Sequence, residues 1–202
     1  MITVHHLNQS RSTRVLWLLE ELGMPYQIEH HKRDETTRLG PASLGEIHPL
    51  NKAPIIEHDD VVICESSAIM EYILDQDETQ RLRPEKGTKS YYQYLEWSHF
   101  AEGSLGLPII ATLLMQMEKR DGTNPMDGYI AKEINLDLGY IDAVLAKQTY
   151  FAGNEFTAAD IMMTITLEFA ANLNLLENRD NIIRYLANVH SREAYQKARS
   201  FG

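Results

Sequence analysis

One cysteine, Cys64, stands among 202 residues. No disulfide can form within the chain, and no dithiol exchange pair exists. Any thiol chemistry must therefore use a thiol brought in by a ligand. Cys64 lies in an apolar run beside Glu65 and reads as a buried structural thiol, and a reducing, cytoplasmic setting is the simplest expectation. Positive charge is also scarce. The formal net charge of −10 argues against a general nucleic-acid or anionic-membrane surface, so neither partner is expected. The opening MITVHHLNQSRST lacks an apolar signal core with a small-residue cleavage site. No apolar run is expected to approach bilayer-spanning length, and LGLPIIATLLM (105–115) reads as a core helix. There is no G-x-G-x-x-G, no phosphate loop and no H-E-x-x-H. His5–His6 and His30–His31 are adjacent pairs whose side chains point to opposite strand faces, so no metal site is expected. Internal repeats and low-complexity tracts are absent as well.

What is present divides into two halves. Residues 2–6 read as a strand, 11–22 as a helix with Val15, Leu16, Leu18, Leu19 and Leu22 at helical spacing, and 26–30 as a second, parallel strand. Gly23 and Pro25 stop the helix. A charged segment and at most a short helix follow. A hairpin over 54–63 and a helix over about 66–75 complete a mixed four-stranded α/β unit. The polar stretch QDETQRLRPEKGTK (76–89) is the candidate linker. Beyond it the signals are helical. A long helix over 88–120 is bent near Gly103, Gly106 or Pro108, and another spans 126–147. An apolar central helix is capped by Thr157 and Asp160 in a T-x-x-D pattern. One or two shorter helices lie within 182–198. The expected domains are 1–78 (α/β), 79–87 (linker) and 88–202 (all-helical).

Two places carry chemical potential. Ser10 lies just before the first long helix, beside Arg11 and near Arg14. Its hydroxyl caps the helix or donates to a ligand thiolate, which the basic residues and the helix dipole would favour. Ser12 is the alternative hydroxyl. The stretch NKAPIIEHDDVVICES (51–66) brings a proline-led strand edge at Ala53–Pro54 close to a helix start at Glu65–Ser66. It reads as a docking edge for a peptide-like anion, or as a turn and cap with no ligand.

NQSRSTRVLWLLEELGMPY, HPLNKAPII, ESSAIMEYI and FTAADIMM together resemble the cytosolic glutathione transferase family, over nearly the whole chain. The resemblance implies a thioredoxin-like N-terminal domain followed by an all-helical C-terminal domain, with glutathione as co-substrate and no permanently bound cofactor. It implies a cis Pro54, Ala53 against the cysteinyl backbone, and Glu65 and Ser66 at the γ-glutamyl end. Lys52, assisted by Asn51, is implied at the glycyl carboxylate. Thr157 and Asp160 are implied to serve folding. The activating position is that of serine-type members, with Ser10 first, Ser12 second, and Arg11 adding charge. The S-R-S-x-R-V-L-W-L-L-E form resembles bacterial and fungal members and lacks the S-S-C-x of the maleylacetoacetate isomerase branch. The implied activity is attack of the glutathione thiolate on hydrophobic electrophiles, with peroxidase activity on organic hydroperoxides as an extension. His99, Phe100, Gly103 and Leu107 are the implied co-substrate pocket, although Phe100 also suits bundle core. A homodimer is implied, and Tyr91, Tyr92 and Tyr94 add a little to it. The alternatives are a non-catalytic binding or assembly protein of the same fold, and a glutathione-dependent isomerase.

Overall fold

The protein is described by a computed structural model covering residues 1–202. It forms two compact units, Met1–Arg81 with Ser191–Gly202, and Leu82–His190.

The first unit is built on a four-stranded sheet of order β2-β1-β3-β4. Strand β1 (Ile2–Leu7) runs parallel to β2 (Tyr26–His31), as the intervening helix α1 (Ser12–Leu22) requires. Strand β3 (Ile55–His58) pairs antiparallel with both β1 and β4 (Val61–Cys64). The hairpin turns at Asp59, whose φ of 55° is one that Asp tolerates. Helix α1 buries Val15 through Leu19 together with Leu22, and Gly23 closes it in the left-handed region at φ 67°. The five-residue α2 (Ser43–Ile47) places Leu44 against Leu7 and Ile55. Cys64 joins that cluster half-buried, and burial pushes its thiol pKa up, away from reactivity. Helix α3 (Ser66–Gln76) follows β4 directly.

The second unit holds α4 (Lys89–Gly103), α5 (Gly106–Met117), α6 (Pro125–Leu145), α7 (Ala158–Asn172) and α8 (Asp180–His190). Helix α7 is buried along almost its whole length, as its all-round apolar sequence predicts. At its start Thr157 and Asp160 form a reciprocal capping box.

Three expectations are corrected. The expected long helix over 88–120 is two helices, broken at Ser104 and Leu105, where glycines at 103 and 106 flank the break. The second of these is not a core helix. Only Gly106, Pro108 and Ile109 of α5 are buried, while Ile110, Leu113, Leu114 and Met117 lie open. Apolar composition marks a surface to be covered without saying what covers it. The run Lys89–Met117 also contains a window with mean hydropathy 1.3, enough by length and composition for a bilayer span, although the chain folds it as two helices. Finally, α9 (Glu193–Arg199) belongs to the first unit and not to the helical one. Arg192 grips Glu21 of α1 through Nε and Nη2, at 2.6 and 2.7 Å, and Tyr195 packs edge-on against Trp17. Bidentate arginine–carboxylate geometry of this kind fixes orientation as well as contact.

Candidate active site

The loop between β1 and α1 carries the two serines. Arg33, just after β2, clamps this loop. Its backbone N–H donates to Asn8 Oδ1 (2.9 Å), its Nε to the Asn8 carbonyl (3.1 Å) and its Nη2 to the Gln9 carbonyl (3.3 Å). Ser10 and Ser12 are both buried, 8% and 0% exposed. Arg11 is the N-cap residue of α1 and gives it no side-chain cap. Ser10 Oγ instead accepts from the Ser12 N–H at 3.1 Å, one of the orphan donors at the helix start. Capping and donation, which compete in the sequence reading, are therefore compatible, because accepting uses a lone pair and donating uses the proton.

Ser12 Oγ lies 2.7 Å from Ser10 Oγ and 2.8 Å from His6 Nδ1. It also accepts from the Leu7 N–H at 3.2 Å and is placed to donate to the Leu7 carbonyl at 3.2 Å. Of the two hydroxyls, Ser10 is the less enclosed.

The second part of the site forms where β4 meets α3. The Ala53–Pro54 peptide bond is cis, and Asn51 just before it has φ 50°. Asn51 and Lys52 are exposed, Ala53 is half-buried and Pro54 is buried. Glu65 is the exposed N-cap residue of α3, at φ 84° and ψ 112°. Ser66 is buried immediately behind it. Arg14, wholly buried in α1, donates from Nη1 to Ser66 Oγ at 3.1 Å. A guanidinium cannot accept, so Ser66 Oγ accepts here and keeps its own proton for a further acceptor. With the first-turn N–H groups of α3, this makes a cradle suited to a carboxylate. The Arg14–Ser66 bond ties the two helix starts together across the first unit.

Of the expected pocket residues in the second unit, His99, Gly103 and Leu107 are exposed. Phe100 is half-buried, its ring 5.2 Å from Trp97 and 6.1 Å from Tyr140. No group of three or more His, Cys, Asp or Glu side chains gathers within reach of one metal ion. The histidines pair across strands instead: His5 Nδ1 lies 3.1 Å from His31 Nε2, and the His6 ring meets His30 edge-on.

Three participants escaped the sequence reading. Arg33 sits in a segment whose sequence says only that it is charged and exposed, and the sequence marks Arg14 as a source of charge, not as the partner of Ser66. In the sequence His6 stands out only as half of an adjacent histidine pair. No local pattern marks any of these roles, because each partner lies in another element or across a loop.

The family model for the glutathione S-transferase N-terminal domain matches residues 10–76, and that for the C-terminal domain matches 109–193. Glutathione S-transferase 3 of Schizosaccharomyces pombe is 36% identical, over 96% of this chain and 85% of that protein. Glutathione S-transferase 1 of Saccharomyces cerevisiae is 27% identical over 100% of this chain and 97% of its own. Among solved structures, a glutathione S-transferase from Actinobacillus pleuropneumoniae superposes with a TM-score of 0.91 at 31% identity, covering 99% of this chain and 92% of that one. A sphingomonad glutathione S-transferase, solved in complex with glutathione, shares the fold with a TM-score of 0.80 at 22% identity, covering 98% and 97%. With two family models spanning most of its length and a yeast relative alike almost from end to end, the chain belongs to the cytosolic glutathione transferase family of enzymes.

Proposed function

We propose that the protein conjugates glutathione to small hydrophobic electrophiles and reduces organic hydroperoxides with the same thiolate. The observation that carries this reading is the Arg14–Ser66 bond, which ties a buried guanidinium in the first turn of α1, two positions after Ser12, to the carboxylate cradle at the start of α3. The γ-glutamyl end of glutathione occupies the cradle of Glu65 and Ser66. The cysteinyl backbone runs along Ala53 and Pro54, and the glycyl carboxylate meets Lys52 with help from Asn51. This delivers the thiol to Ser10. The Ser10 hydroxyl donates to the sulfur, and the helix start and Arg11 add positive potential, so the thiolate is favoured over the thiol. The thiolate then forms a bond to an electrophilic carbon and expels its leaving group, or attacks the outer oxygen of a hydroperoxide, which breaks the O–O bond and releases the alcohol, and a second glutathione converts the resulting sulfenic acid to glutathione disulfide and water. His99, Phe100, Gly103 and Leu107 are the proposed contacts of the apolar co-substrate. The working form is a homodimer in the cytoplasm, where Cys64 stays reduced. The binding of glutathione by the sphingomonad relative supports the co-substrate assignment.

A panel of aryl halides, organic hydroperoxides and cis-trans isomerisable diacids, each run with glutathione, tests the reaction class. Turnover of the first two supports the reading. Turnover of the diacid alone transfers the site to an isomerase, and retention on immobilised glutathione with no turnover leaves a binding protein. Ser10→Ala should raise the pKa of the bound thiol by about one unit, which is about a tenfold loss of thiolate at neutral pH, with activity partly recovered as pH rises. Loss in Ser12→Ala with a harmless Ser10→Ala would move the activating hydroxyl to Ser12.

A further inference from the structure

His6 lies on β1 behind the two serines and is 1% exposed. Its Nε2 is 3.2 Å from the main-chain oxygen of Gly202, which only accepts, so Nε2 carries a proton. In the neutral ring Nδ1 is then an acceptor, and Ser12 Oγ–H at 2.8 Å fills it. The Leu7 carbonyl, at 3.2 Å, is the more distant acceptor for that proton; with the proton on the nearer His6 Nδ1, Ser12 Oγ accepts from the Leu7 N–H and from Ser10 Oγ–H at 2.7 Å. The Ser10 proton therefore points inward at rest. Donating it to a ligand sulfur would leave two serine oxygens facing each other with no proton between them, unless every proton in the row moves one place inward.

We propose that His6 is the proton acceptor at the inner end of a relay that takes the glutathione thiol proton through Ser10 and Ser12. The inference rests on the reading that places the thiol at Ser10. The S–H bond breaks and its proton passes to Ser10 Oγ. The original Ser10 proton passes to Ser12 Oγ, and the Ser12 proton passes to His6 Nδ1. The products are a thiolate and an imidazolium, with no electron gained or lost. Every hydrogen bond in the row survives with its direction reversed. Nδ1–H donates to Ser12, Ser12 to Ser10, and Ser10 to the thiolate. Nε2–H still donates to Gly202. Alternation of this kind lets a buried polar chain stay satisfied in both states.

Burial lowers the His6 pKa, and the neighbouring rings of His30 and His31 lower it further, while hydrogen bonds to the Gly202 and Phe201 main chain raise it. The titratable groups that act on the ring are His30 and His31, beside the Ser12 hydroxyl and the Gly202 and Phe201 main chain. His6 is therefore neutral at rest and able to receive a proton, and the new thiolate is the opposite charge that stabilises the imidazolium. His6 acts through the serines and is a positioning residue, not one that touches substrate.

The test uses the whole protein with histidine labelled by nitrogen-15, saturated with glutathione or with S-methylglutathione, which has no thiol proton. Glutathione should produce the ultraviolet thiolate band and move one histidine Nδ1 resonance to its protonated position. S-methylglutathione should do neither. In His6→Asn that resonance change should vanish, and the bound thiol pKa should rise by about one unit, a tenfold loss of thiolate near neutral pH. S-methylglutathione affinity should stay within about twofold, which separates proton acceptance from a collapsed loop. A thiolate band with every histidine resonance unmoved overturns the relay and leaves the transferase reading standing. No thiolate band in the unsubstituted protein overturns both. If His6→Asn fails to fold, the labelled wild-type experiment decides alone.

Discussion

Glu65 holds a backbone conformation, φ 84° and ψ 112°, that a side chain makes costly, by about 1–3 kcal/mol. Its place at the head of α3, just before Ser66, fits strain kept for ligand binding. Glu65→Gly should relieve the strain and stabilise the fold by up to about 1 kcal/mol in a urea melt, after glycine's own entropic cost. The same variant should raise the Michaelis constant for glutathione about tenfold or more, as loss of a charged contact does, with turnover number nearly unchanged. A less stable variant with unaltered glutathione affinity would remove the link between strain and binding. His6 and His31 offer a second test at this scale. Both have pKa values lowered from 6.5, chiefly by burial. The unfolded chain then binds protons at a pH where the folded one does not. Their contribution to stability is complete above pH 6.5 and is lost as pH falls through that value towards the lowered ones. Melting temperature should fall across that acid window, and His6→Asn should flatten the fall. An equal slope in the variant would show that His6 plays no part in it.

Among the elements, α7 depends most on one side chain. Asp160 accepts from the Phe151 N–H (3.0 Å), the Thr157 N–H and Oγ–H (2.9 and 3.1 Å) and the Tyr185 hydroxyl (3.2 Å). Asp160→Ala strips three buried donors of their acceptor, while the Tyr185 hydroxyl keeps the main-chain oxygen of residue 160 at 3.1 Å, and should cost on the order of 3–5 kcal/mol, read by urea unfolding. Burial pushes the Asp160 carboxyl up to about 6, against 3.8 in the unfolded chain. The folded chain therefore holds the extra proton between those values, and this group's contribution falls as pH rises from about 4 to about 6, opposite to the histidines. A variant as stable as the parent would deny the capping box its structural role. Elements of this kind were legible in the sequence. T-x-x-D before an apolar run, Gly-x-Pro after α1 and a proline before a β-branched pair are local signals. Helix α9 was not legible as part of the first unit, because its anchor joins Arg192 to Glu21, which are 171 positions apart. Nor was the row from Gly202 through His6 to Ser10, in which a tail residue meets the first strand. The site's residue types could be read, but which side chain orients which depends on the assembled sheet.

At the scale of the whole molecule, the open face of α5 asks for a partner. Ile110 lies three and four residues before Leu113 and Leu114, and Met117 four and three residues after them, so the four share one helix face, and Leu114 and Met117 are 54% and 70% exposed. Contiguous apolar surface of this kind marks an interaction site on a folded protein. The family resemblance implies a homodimer, and we propose that the second copy covers this face. The chain's net charge of −10 disfavours an anionic lipid surface as the occupant. Light scattering at micromolar protein should give twice the chain mass, and Leu114→Glu, which drives a charge into that face, should shift the population to monomer. Burying an unpaired carboxylate costs several kcal/mol, enough to raise the dimer dissociation constant by about a hundredfold or more. Glutathione affinity should be preserved, because the proposed glutathione-binding residues all lie in the first unit. A monomer mass for the parent protein would refute the dimer. If that monomer also sedimented with anionic vesicles, and Leu114→Glu abolished the association, the face would belong to a lipid surface instead.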